Sequence, residues 1–126
     1  MTDDVTGRDS ERAEPSDASE TYDLFQQGRA HLRNGRAAQA TVALEKAKRR
    51  EPEKASIREA LGIAYFRLRR WSEAEVEFRK LVELAPVDHF AQRALARTLD
   101  RVGRHDDAAQ HHALARALHP GTPVGD

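Results

Sequence analysis

The sequence predicts an all-α fold, an α-solenoid in which three helix-turn-helix units provide six antiparallel helices. The first observation is that Pro52, Pro86 and Pro120 stand 34 residues apart. The second is that small residues recur at the same interval, where they let the two helices of one unit approach closely. These residues are Gly28, Gly62 and Ala96, then Ala40, Ala74 and Ala108. A helical period of this length predicts stacked units that share one continuous core.

Large apolar residues fill the space around these small positions and recur at helical spacing. They are Leu24, Leu32, Leu44, Leu61, Tyr65, Phe66, Phe78, Leu95, Leu99 and Leu114. Each proline ends its unit because it lacks a backbone N–H and biases the preceding residue away from helix. Gly35 and Gly103 stand between paired helices, where a left-handed residue is common. Ser72 and Glu75 have the spacing of a capping box. The predicted helices cover 21–33, 37–50, 55–68, 71–84, 89–102 and 105–118.

The first twenty residues differ in composition from the repeats. They carry seven acids and two bases, and only Met1 and Val5 are large and apolar. Burial cannot offset the entropy of such a segment, so we predict a disordered acidic leader over 1–20. The whole chain has zero formal charge, so residues 21–126 carry a net charge of plus five. The remaining predicted parts are three repeats and a flexible tail: 21–54, 55–88, 89–120 and 121–126.

Composition excludes several classes of protein. Without cysteine, the chain has no disulfide framework, thiolate metal site or cysteine nucleophile. The longest apolar stretch, Leu61 to Phe66, is far shorter than the roughly 20 residues that span a membrane. The N-terminus lacks the apolar segment of a secretory signal, so we expect a cytoplasmic protein with no membrane association. Abundant arginine and alanine beside few lysines favour a bacterial source.

The middle unit, Ala55 to Pro86, resembles the tetratricopeptide repeat family. The residues on its pattern are Leu61, Gly62, Tyr65, Trp71, Ala74, Phe78, Leu81 and Pro86. The resemblance covers 21–120 and implies a protein-protein interaction adaptor that is not an enzyme. His31 and His112 replace an aromatic residue of the pattern in the outer units, where looser packing is expected.

In this family the first helix of each unit lines a concave surface. The corresponding positions here carry six arginines, four aromatic residues and two acids, Glu59 and Asp100. Arginine binds carboxylates in a bidentate manner and aromatic rings provide apolar anchors, so the resemblance implies a groove for an acidic peptide. The alternative is a solvated helical face, on which the arginines near helix ends favour the helix dipole. The predicted binding residues are Tyr22, Phe25, Arg29, Arg33, Ile63, Phe66, Arg67, Phe90, Arg93, Arg97 and Arg101.

Some tetratricopeptide co-chaperones hold the C-terminal carboxylate of a chaperone with basic or amide residues at two positions of each first helix. Only Arg93 and Arg97 provide such a basic pair here. Glu59 and Ile63 occupy the same positions in the middle unit, and Ile63 has no hydrogen-bonding group. The sequence therefore disfavours that particular clamp.

Two other functions stay open at this stage. The basic repeats suggest nucleic-acid binding, which the modest charge, Glu59, Asp100 and the acidic leader disfavour. Self-assembly, or stacking on a partner, is suggested by the last helix, because no further helix follows to cover its apolar residues. Those residues are Ala109, Ala113, Leu114, Ala117 and Leu118.

Sites for chemistry are not expected. The histidines near the C-terminus have no pair at the i, i+4 spacing that would place two ligands on one helix face, and His112 occupies a core position. The glycines are separated by whole repeats, so they do not form a phosphate-binding loop. We therefore predict no catalytic residue, no cofactor and no metal.

Overall fold

The computed structural model describes residues 13–119, and this part of the chain folds into six α-helices without a strand. The helices are α1 (Ala13–Arg33), α2 (Ala37–Arg50), α3 (Ala55–Arg67), α4 (Trp71–Leu84), α5 (His89–Arg101) and α6 (His105–Leu118). Each helix packs on the next, and α1 also contacts α3. The all-α solenoid of three helical pairs is confirmed. Between Ala13 and His119, no helix combines the length and apolarity needed to cross a membrane.

The first helix is longer than predicted. It begins at Ala13, so residues 13–20 are helical where the sequence predicts a disordered leader. Extending an existing helix costs little because each added residue brings its own hydrogen bond. Glu20 also pairs with Arg50 on α2, with 2.6 Å between Oε1 and Nη2. The predicted leader over 1–12 and tail over 121–126 lie outside the described residues.

A left-handed residue ends the first helix of each pair. Gly35 and Gly103 have φ angles of 73° and 84°, which confirms their prediction as turn residues, and Arg69 takes the equivalent position with φ of 60°. The residue that follows donates its backbone N–H to the carbonyl five residues earlier, as in the 2.9 Å bond from Arg70 to Tyr65. This arrangement is a Schellman-type helix end.

The capping box predicted for Ser72 and Glu75 is wrong. The N-cap of α4 is Arg70, whose side chain makes no capping hydrogen bond. Glu75 instead accepts hydrogen bonds from Arg79 Nε and Arg104 Nη1, each at 2.8 Å. The tight turn places Arg70 rather than Ser72 at the helix start, so the hydroxyl lies too late in the helix to cap it.

The small residues allow the helices of each pair to meet. Ala40, Ala74 and Ala108 are fully buried. At Gly28 and Gly62 a Cβ atom would collide with Leu44 and Phe78 respectively. These close contacts produce a continuous core that runs through all three units.

A buried polar network, which the sequence pattern did not predict, joins the first two units. Glu77 is 2% exposed and accepts hydrogen bonds from Lys48 Nζ at 2.8 Å and Arg58 Nη1 at 2.9 Å. Arg58 Nε also donates to the carbonyl of Pro52 at 2.9 Å. Such a network fixes the relative position of the units, because a misplaced Glu77 would lose its partners inside the protein.

The third unit repeats this arrangement with neutral groups. Gln92, which is 34 residues after Arg58, donates from Nε2 to the carbonyl of Pro86 at 2.9 Å. Its Oε1 atom hydrogen-bonds His111 Nδ1 at 2.7 Å. The carbonyls of Pro52 and Pro86, which are equivalent in the repeat, thus both accept a hydrogen bond from the next unit. The donor is Arg58 in one case and Gln92 in the other.

Candidate binding groove

Two adjoining pockets lie along the first helices of the three pairs. The α3/α5 pocket encloses about 260 Å³ and has a mainly apolar lining with three arginines. Its lining residues are Ile63, Phe66, Arg67, Phe78, Phe90, Arg93, Ala94 and Arg97. No acidic side chain lines this pocket, so its charged groups are all cationic.

The α1/α3 pocket encloses about 350 Å³ and is more polar. Its lining residues are Phe25, Arg29, Leu32, Arg33, Ser56, Glu59, Ala60, Ile63 and Arg67. Ile63 and Arg67 line both pockets, so the two are halves of one channel. We call this channel the concave groove.

Nine of the eleven predicted binding residues line the concave groove. They are Phe25, Arg29, Arg33, Ile63, Phe66, Arg67, Phe90, Arg93 and Arg97. The two exceptions are Tyr22, which is 62% exposed and lines neither pocket, and Arg101. The guanidinium of Arg101 lies 5.7 Å from the ring of Phe66 and 5.4 Å from that of Trp71. Arg101 therefore lies over aromatic rings and does not line either pocket.

Aromatic rings hold two of the groove arginines. The guanidinium of Arg29 lies 5.6 Å from the ring centre of Phe25, and that of Arg97 lies 5.5 Å from the ring centre of Phe66. Cation–π contact restricts these long side chains before any ligand arrives. Less side-chain entropy is then lost when a ligand binds to them.

Arg67 has a structural partner as well as a place in the lining. Its Nη1 atom donates to the carbonyl of Leu32 in the last turn of α1, at 2.8 Å. This contact fits the alternative that arginines at this position favour the carboxyl end of a helix. Arg93 and Arg97 are therefore the better candidates for contacts with a ligand.

Glu59 is the acidic side chain in the lining. Burial raises the pKa of its carboxyl group, the nearby Asp88 raises it further, and Arg29 opposes both effects. Asp88 caps α5 by accepting a hydrogen bond from the backbone N–H of Phe90 at 2.9 Å. Glu59 thus places one carboxyl group on α3, between the arginines of α1 and those of α5.

Asp100, the other acid at a predicted groove position, lies outside both pocket linings. It hydrogen-bonds His105 Nδ1 at 2.9 Å and His112 Nε2 at 3.0 Å, and these bonds lower the pKa of its carboxyl group. The equivalent residues of the middle unit, Phe66 and Trp71, form an edge-to-face pair with ring centres 4.9 Å apart. The third unit therefore replaces an aromatic contact by a polar one.

The prediction that His112 occupies a core position is wrong. The side chain of His112 is 33% exposed, and its Nε2 atom hydrogen-bonds the partly exposed carboxyl group of Asp100 instead of packing in the core. Within residues 13–119, no group of three or more histidine or acidic side chains is arranged to hold a metal ion.

Beyond the predicted binding residues, Leu32, Ser56 and Glu59 line the groove at expected positions of the repeat, and three further lining residues were not predicted. Ala60 and Ala94 each follow a predicted groove position by one residue, so a wider helical stripe would have included them. Phe78 comes from α4, the second helix of its pair, and was interpreted as core alone. Its ring packs against Gly62 and also closes the α3/α5 pocket.

Comparison with solved structures gives clear similarity in fold. The chain is 28% identical to MamA AMB-1, with a TM-score of 0.75 over 80% of this chain and 55% of that chain. It is 27% identical to a MamA D159K mutant, with a TM-score of 0.77 over 82% and 57% of the two chains. The chain thus spans just over half the length of these MamA chains.

A third structure is the first TPR of Spaghetti (RPAP3), bound to the HSP90 peptide SRMEEVD. It is 18% identical, with a TM-score of 0.77 over 82% of each chain, and shows likeness in fold. No curated protein sequence matches the chain. A model of the tetratricopeptide repeat matches residues 25–89 and again 60–123. Together these two matches cover most of the sequence, so the chain belongs to the tetratricopeptide repeat family.

Proposed function

We propose that this protein is a non-enzymatic adaptor that binds an acidic peptide or protein segment in the concave groove. The observation that carries the proposal is the α3/α5 pocket, where an apolar floor adjoins Arg93 and Arg97 and no acid lines the wall. An apolar ligand side chain would be buried on Ile63, Phe66 and Phe90. A neighbouring carboxylate would then reach the arginines.

The energetics of this pocket favour such a ligand. Arginine offers planar, paired donors that match a carboxylate, and a hydrogen bond to a charged group contributes about 1.5–3 kcal/mol. The apolar floor excludes water from this contact, which strengthens the electrostatic attraction. Binding residues of this kind, arginine beside aromatic rings, are typical of the strongest contacts in interfaces.

The RPAP3 domain offers a parallel on the same fold. Its structure holds the peptide SRMEEVD, which carries three acidic residues. That protein resembles this chain in fold alone, so the parallel supports an acidic segment as the ligand class and does not identify a partner.

The test is fluorescence anisotropy with a labelled peptide that carries a Leu-Glu pair between neutral residues. Replacing Arg93 and Arg97 together by alanine should weaken binding at least tenfold. The matched control is the double replacement of Arg36 and Arg49, which are exposed and lie outside the groove lining. Equal losses in the two double variants would indicate a general charge effect and contradict the proposal.

The two alternatives predict different results. A nucleic-acid-binding protein would bind labelled single strands with a steep salt dependence and little effect of sequence. A self-assembling protein would use α6, where Ala109, Ala113 and Ala117 are exposed and Leu114 is 47% exposed. Its mass in solution would then rise with concentration, and a polar substitution at Leu114 would abolish the rise.

A further inference from the structure

Charge is distributed unevenly along the concave groove. Arg29 and Arg33 lie at the α1 side, and Arg93 and Arg97 lie at the α5 side. Glu59 lines the channel between them, and Asp88 is close enough to raise its pKa. In the groove lining, the central helix α3 therefore carries one carboxyl group, that of Glu59, and one guanidinium, that of Arg67, whose Nη1 atom is already bonded to the carbonyl of Leu32.

Glu59 also differs from its equivalents in the other units. The residues 34 positions before and after it are Phe25 and Arg93, one apolar and one basic. Arg29 acts on Glu59 by lowering its pKa, so part of the positive field of Arg29 is already compensated. A ligand carboxylate near Glu59 would meet repulsion from that carboxyl group and would compete with it for Arg29.

Building on the proposed function, we propose that Glu59 is a specificity-determining residue, which excludes a second ligand carboxylate from the part of the concave groove that Glu59 lines. The accepted ligand carries an acid beside a large apolar residue at the α3/α5 pocket. Over Glu59 it carries a neutral or basic residue. Such selection by repulsion distinguishes one acidic segment from another without adding attraction to either.

The distance between the two subsites gives the spacing in the ligand. A helix with its side chains is about 10–12 Å across, and an extended peptide advances about 3.3 Å per residue. A ligand that crosses from α5 to α3 therefore reaches Glu59 about three residues from the acid held by Arg93 and Arg97. Two directions of the ligand chain are possible, so a probe must vary both sides of the Leu-Glu pair.

The experiment uses two labelled peptides with the same central Leu-Glu pair. One has glutamine three residues before and three residues after the central glutamate, and the other has glutamate at both places. The protein should bind the glutamine peptide at least fivefold more tightly. Glu59→Gln should tighten binding of the glutamate peptide at least fivefold and change binding of the glutamine peptide less than twofold.

Glu83→Gln is the matched control, since Glu83 is exposed on α4 and lies outside the groove lining. It should leave the preference between the peptides unchanged. If Glu59→Gln prefers the glutamine peptide as strongly as the unaltered protein does, this inference is overturned, whereas the proposed function is not. Failure of every variant to bind either peptide would overturn the proposed function and this inference together.

Discussion

Gly62 on α3 faces the ring of Phe78 on α4, and a Cβ built at Gly62 would stand 2.6 Å from Phe78 Cδ1. The first unit repeats the contact with Gly28 and Leu44. In both units the missing side chain provides the space that the large residue fills. Because Phe78 also lines the α3/α5 pocket, this core contact positions one wall of the candidate site.

Gly62→Ala should destabilise the protein by about 1–3 kcal/mol, although alanine is the better helix former. The added methyl group would force the ring of Phe78 to move within a packed core. Urea unfolding followed by circular dichroism measures the change. Ser72→Ala, at an exposed helical position, should change stability by less than about 0.5 kcal/mol. Equal stability of the Gly62 variant and the unaltered protein would contradict this account of the packing.

Arg69→Gly should stabilise the protein by about 0.5–1 kcal/mol. Arg69 holds a left-handed conformation with φ of 60°, which is unfavourable for a residue with a Cβ, and glycine adopts it without strain. Glycine already occupies the equivalent positions 35 and 103. The unfolding midpoint in urea should rise, whereas Gly103→Ala should lower it. A lower midpoint for Arg69→Gly would show that the arginine side chain stabilises the turn.

Glu77→Ala should destabilise the protein by about 2–3 kcal/mol, since it removes two charged hydrogen bonds from a buried position. Lys48 and Arg58 retain some contact with solvent, which limits the loss. Glu73→Ala is the comparison, because its pair with Arg70 is exposed and its removal should have no measurable effect. Similar unfolding curves for the two variants would refute a special role for the buried network.

Stability should fall as the pH is lowered from about 7 to 5, and His111 should account for part of this loss. Burial lowers the pKa of His111, with Arg79 and His112 acting in the same direction and Asp107 opposing them. In the unfolded chain His111 has a pKa near 6.5, so as the pH falls it becomes protonated there before it does in the folded chain. The contribution of His111 to stability is complete above the pKa of the unfolded chain. It is lost as the pH falls through the lower pKa that His111 has in the folded protein.

Urea unfolding at several pH values would measure this effect in the unaltered protein and in His111→Gln. The variant should lose less stability between pH 7 and 5. Identical pH dependence of the two proteins would mean that His111 is not responsible.

The fold was predictable because its determinants recur. Prolines and small residues at a fixed interval define both the unit and its phase, so five of the six predicted helices agree with the structure within one residue at each end. The start of α1 was not predictable from the pattern. It depends on helix extension and on the pair between Glu20 and Arg50, for which no repeated position gives a signal.

The candidate site was predictable where the repeat alone decides which way a residue faces. Position within the unit placed Arg93 and Arg97 on the concave side. Arg101 instead contacts the rings of Phe66 and Trp71, and Tyr22 is exposed outside both pockets. The pairs of Glu77 with Arg58 and of Gln92 with His111 each join residues 19 positions apart, and the residues equivalent to Glu77 and Gln92 in the first unit are apolar. Such pairs follow from the packing of one helix on another, which periodicity does not reveal.

The most direct test of the central claim is a nuclear magnetic resonance titration of the isotope-labelled protein with the acidic Leu-Glu peptide. Binding in the concave groove predicts that the largest amide shifts fall on α1, α3 and α5, with Ile63, Arg93 and Arg97 among them. The shifts should disappear in the Arg93→Ala and Arg97→Ala double variant. Shifts confined to α2, α4 and α6 would contradict the claim, because those helices would then form the binding surface.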